Sequence, residues 1–85
     1  MNSLFMTAED IKRRIQTALP EAQSDVRDLT GTNDHFEVTV VSPSFHGKNA
    51  VQRHRIVYDI LGSAVGGEIH ALSLNTMTPE EAGSV

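Results

Sequence analysis

A two-layer α+β fold, with a three-stranded sheet covered by helices in the order αββαβ(α), is what this sequence predicts. Three observations carry that expectation. Ile11, Ile15 and Leu19 recur every four residues, and Ala50, Val57, Leu61 and Ala64 mark a second, wider apolar arc. Both are helical periods. Phe36, Val38 and Val40 alternate with His35, Glu37, Thr39 and Val41, as in a strand with one buried face. Ile69 to Leu74 is a further apolar, partly alternating run behind the glycines at 62, 66 and 67. Eighty-five residues make one domain. It is taken as 1–85, with a flexible leader over 1–6 and a flexible tail over 82–85.

The elements follow in order. Thr7 offers an N-cap oxygen, and Glu9 and Asp10 place negative charge at the positive end of the first helix. Pro20 ends that helix, and Lys12, Arg13 and Arg14 read as its solvated face. Ala22, Ser24, Val26 and Asp28 alternate with polar positions in a short, half-exposed strand. Gly31-Thr32-Asn33-Asp34 is a turn, so this strand and the run His35–Val41 form an antiparallel hairpin. Ser42-Pro43-Ser44 breaks the second strand. Gly47, free to take a positive φ, turns the chain into a helix from about Asn49 to Leu61 or slightly beyond. Val51, Tyr58 and Ile60 are expected at the edges of its buried arc. Thr78-Pro79-Glu80-Glu81 is a capping box with proline at N1, opening a helix of one turn at most.

Composition excludes several functions. The chain has no cysteine, so it makes no disulfide, thiolate nucleophile or thiolate metal site by itself. No apolar run approaches the roughly 20 residues of a bilayer span. Met1 to Phe5 lacks the pattern of a secretory signal, and a reducing, cytoplasmic setting is the expectation. The net charge of −4 is a poor global match to a polyanion. Nucleic-acid binding would need a local basic face, and Lys48, Arg53 and Arg55 in the loop and helix at 47–55 supply the candidates. Catalysis finds little support. Ser42 and Ser44 near His46 have no third group to orient the imidazole, and Gly47-Lys48 lacks the glycine spacing of a phosphate loop. No enzyme is expected.

The four histidines are the soft ligands available. None forms a His-x-x-x-His pair. His35 opens a strand, His46 sits in a loop, His54 lies mid-helix and His70 precedes the last strand's core. From spacing alone each is more ordinarily a surface or hydrogen-bonded histidine than a ligand. His54 is the best placed to tie helix to sheet.

At Ser44-Phe45-His46-Gly47-Lys48, at Val51-Gln52-Arg53-His54-Arg55-Ile56-Val57-Tyr58, at His70-Ala71-Leu72-Ser73-Leu74 and at Thr78-Pro79-Glu80-Glu81, the sequence resembles the BolA-like family. His35-Phe36-Glu37-Val38 is similar to that family's second strand. The resemblance implies a class II K-homology-like fold. It also implies partnership with a monothiol glutaredoxin carrying a Cys-Gly-Phe-Ser motif, in iron–sulfur cluster trafficking or iron and redox sensing. The two proteins share a [2Fe–2S] cluster. The partner and glutathione bring thiolates, and the BolA-like chain brings the remaining ligands, so none is expected in the isolated chain. The histidine of His-Ala-Leu is the family's regular ligand, here His70. The second ligand comes from the loop between the first two strands. Thr30 to Asp34 contains neither histidine nor cysteine, so His35 at its edge is the candidate, with His46 as the remaining option. Imidazole on one iron raises the potential relative to thiolate, and ligation requires the neutral nitrogen. The family is also linked to transcriptional control, which keeps DNA as the alternative partner. The free protein is expected to be a monomer or weak dimer.

Overall fold

The computed structural model of the chain describes residues 6–67, 69 and 71–83. Helix α1 (Ala8–Ala18) leads into strand β1 (Gln23–Asp28), strand β2 (His35–Val41), helix α2 (Ala50–Leu61), strand β3 (Ala71–Met77) and helix α3 (Pro79–Gly83). Single 3-10 turns at Pro43–Phe45 and Gly62–Ala64 flank α2. The sheet is mixed, with β2 in the centre. β1 pairs antiparallel to it and β3 parallel.

Each helix begins with a reciprocal cap. The Thr7 hydroxyl accepts from the Asp10 amide, and the Asp10 carboxylate accepts from the Thr7 amide. Asn49 and Gln52 repeat this at α2, and Thr78 and Glu81 at α3. These hydrogen bonds satisfy donors that a helix start leaves open, so the boundaries are set within four residues of sequence.

One face of the sheet holds the core. Phe36, Val38 and Val40 of β2 are fully buried against Ile11 and Ile15 of α1 and Val57 and Leu61 of α2. The alternate β2 residues His35, Glu37, Thr39 and Val41 are half-buried on the other face. Met6, grouped with the leader in the sequence reading, belongs to the core, whereas Met1 to Phe5 lie outside the described residues. At the other end α3 runs through Gly83, and Ser84 and Val85 lie outside the described residues.

Two elements depart from expectation. The inward stripe of α2 is Arg53, Val57 and Leu61, continuing to Ala64, while Ala50 and Val51 are exposed. The reason is Phe45. Its ring, brought in by the 3-10 turn, is fully buried in the core, and the Arg53 guanidinium rests over it. The third strand begins at Ala71 and continues to Met77, because Thr76 and Met77 find partners in Val40 and Val41. Ile69 is buried ahead of the strand. Its amide donates to the Ala64 carbonyl, and its carbonyl accepts from the Gly66 amide.

Candidate functional site

The corner where β2 and β3 begin is built by the hairpin turn. The Asp28 carboxylate accepts from the amides of Gly31 (3.0 Å) and Asn33 (2.9 Å). Gly31 and Asn33 both take a positive φ, the conformation that glycine and asparagine tolerate best. The turn delivers the Asp34–His35 backbone into a clamp. The Leu29 amide donates to the His35 carbonyl at 2.9 Å, and the Ala71 amide donates to the Asp34 carbonyl at 3.0 Å. His35 therefore stands in register with Ala71. A shallow cavity of about 180 Å³ opens here, lined by Leu29, His35, Phe36, Ala71, Leu72 and Ser73. Leu29 is half-exposed beside it, a residue to which the sequence reading gave no role. Its only signal was an apolar side chain at the edge of a polar turn.

Of the two histidines expected to bind metal, His35 lies on the wall of this cavity. His70 lies outside the described residues. Among the described residues no three His, Cys, Asp or Glu side chains gather as a cation site. His46 is elsewhere, on the loop before α2, with Nε2 2.7 Å from Glu80 Oε1.

The basic segment divides. Lys48 and Arg55 are exposed. Arg53 is largely covered, with 14% of its side chain exposed. Its Nε donates to the Lys48 carbonyl at 2.8 Å, and its two terminal nitrogens meet the Glu81 carboxylate at 2.7 and 3.3 Å. The Arg53 pair holds the Glu81 carboxyl down to about 2. Glu80 is also lowered, by the backbone amide it accepts from and by His46. Arg53 and Arg55, two positions apart on a helix, do not share a face. His54 lines a groove with Val51, Arg55 and Tyr58. No helix among the described residues is long and apolar enough to cross a membrane.

Comparison with known proteins agrees with this architecture. The family model described as BolA-like protein matches residues 11–81. Human BolA-like protein 1 is 37% identical over 82 residues, which cover 84% of this chain and 60% of that protein. The chain thus spans less than two thirds of that relative's length. The protein named DNA-binding transcriptional regulator BolA of Vibrio cholerae is 42% identical over 60 residues, covering 69% of this chain and 57% of that protein. The solved structure of a bolA protein homologue from Coxiella burnetii superposes with a TM-score of 0.76 at 44% identity, covering 89% of this chain and 95% of that one. With the strand order, the caps and the family match in agreement, the chain belongs to the BolA-like family.

Proposed function

We propose that this chain is a non-enzymatic partner of a monothiol glutaredoxin and helps to ligate a [2Fe–2S] cluster shared with it, in iron–sulfur cluster trafficking or iron and redox sensing. His70 and His35 are the assigned ligands. The observation that carries the reading is the register of the parallel strands. His35 stands opposite Ala71, and Ala71 follows His70 in the chain. The hydrogen bonds on either side of Asp34 and His35 fix the backbone that would present the imidazole. Leu29, Phe36 and Leu72 give the cavity an apolar wall, which limits water around a metal centre. A chain without cysteine can offer imidazoles and must take thiolates from elsewhere, which is the donor set of a shared cluster. When bound, the cluster supplies a one-electron couple and a visible chromophore.

Mixing the chain with a cluster-loaded monothiol glutaredoxin is expected to change the visible circular dichroism spectrum. His70→Ala should abolish the change and His35→Ala should weaken it. A spectrum and complex unaltered by His70→Ala would overturn the ligand assignment.

A second reading is a nucleic-acid-binding transcriptional regulator using the segment at 47–55. The name of the Vibrio cholerae relative and the exposure of Lys48 and Arg55 favour it. The net charge of −4 and the engagement of Arg53 by Glu81 weigh against it. DNA affinity should fall steeply with salt, and Lys48→Ala with Arg53→Ala should flatten that slope. A flat isotherm at low salt discards this reading.

A further inference from the structure

We propose that His46 and Arg53 form a binding site for phosphate groups, and that Glu80 and Glu81 occupy it as an internal competitor. The proposal rests on the second reading above and adds a control to it.

The site is built before any ligand arrives. The Arg53 Nε is committed to the Lys48 carbonyl, and its guanidinium lies over the Phe45 ring at 6.0 Å from the centroid. That leaves the terminal nitrogens as a fixed fork facing α3, and Glu81 fills it with both carboxylate oxygens. The same fork geometry suits a phosphate. His46 points Nε2 at the neighbouring carboxylate, Glu80. Two consecutive acids on one element therefore lie on two basic groups of one loop–helix corner. Lys48, exposed at that corner, is a further cation beside Arg53 available to an incoming polyanion.

The competitor is lightly held. α3 spans five residues and buries none of them. Its own cap, from Thr78 to Glu81, closes within the segment and so can survive movement away from Arg53. Half of the Glu81 side chain and 73% of the Glu80 side chain are exposed. The His46–Glu80 pair, exposed on both sides, contributes little to stability and is screened by salt, and the Arg53–Glu81 pair is open to solvent on its Glu81 side. The low pKa of Glu81 keeps its carboxylate charged at neutral pH, so release comes from a rival anion rather than from protonation.

The test compares the wild type with Glu80→Gln/Glu81→Gln, using anisotropy of a labelled DNA duplex over a salt series. Glutamine at 81 keeps the capping box while removing the charge. Glu9→Gln/Asp25→Asn makes the same change in net charge at exposed positions elsewhere. The unmasked variant is expected to bind about tenfold more tightly than the wild type, within the usual span of coupling between sites. Its salt slope should steepen by about one unit per phosphate gained. Adding Arg53→Gln should remove the gain. Inorganic phosphate should shift the Arg53 Nε and His46 ring resonances, more readily in the unmasked variant. In the wild type, saturating phosphate should also shift the Glu81 carboxyl resonance, a readout that needs no variant. An equal gain in the charge-matched control, or no gain in DNA affinity together with no phosphate shift of the Arg53 and His46 resonances, overturns the proposal. If phosphate moves Arg53 and His46 while DNA anisotropy stays flat in every variant, the anion site stands and the DNA reading fails.

Discussion

At the scale of single residues, Phe45 does more than its place in a loop suggested. Its ring is fully buried and supports the Arg53 guanidinium. Phe45→Ala is expected to lower stability by about 3–5 kcal/mol in urea denaturation, the usual cost of emptying a buried aromatic site. Glu81 has a defined pH signature. Its carboxyl is held at about 2 in the folded chain, against an ordinary value of 4.5. The stability it adds is present above the ordinary value and is lost as pH falls from there towards 2. Glu81→Gln should therefore flatten the acid limb of stability against pH between those values, followed by urea unfolding at each pH. The basic and imidazole cluster at 46–55 was legible in the sequence, but its partners were not. Glu80 and Glu81 lie 34 and 28 positions from His46 and Arg53, and local patterns do not register pairs that tertiary packing brings together.

Among the elements, the helix starts were the most legible because their chemistry is local. Thr7, Thr78 and Pro79 announced two of them directly. Asn49→Ala is expected to cost about 1 kcal/mol through loss of the side-chain cap on the Gln52 amide, measured by urea unfolding. Gly47→Ala should cost about 1–2 kcal/mol. The position has a φ of +74°, and with no atom within 4 Å of the added Cβ the cost is backbone strain alone. The buried face of α2 was harder to read. Counting apolar residues places Ala50 inward, yet the inward position one turn before Val57 is Arg53, whose charge is met by Glu81. A charged residue on a buried stripe breaks the apolar period that sequence reading follows.

For the whole molecule, the order of elements was legible and the direction of the third strand was not. Alternation shows which residues face the core, but not whether a neighbour runs parallel. The parallel pairing of β2 and β3 is what brings His35 level with Ala71, so the geometry of the candidate site depends on the feature least visible beforehand. Hydrogen exchange should find the slowest amides in β2, which is paired on both sides, and the fastest in α3. Equal protection across the sheet would contradict that ranking.

The clamp around Asp34 and His35 also has a history in time. Its Leu29 bond closes within a hairpin, whereas its Ala71 bond waits for α2 and the turn after it to be laid down. Contacts distant in sequence form later as a rule. Pulse labelling during refolding should therefore protect the Leu29 amide before that of Ala71. The β2–β3 side of the sheet, the corner beside His35 included, is then finished after the hairpin, and a partner arriving during synthesis would meet a hairpin still awaiting its third strand.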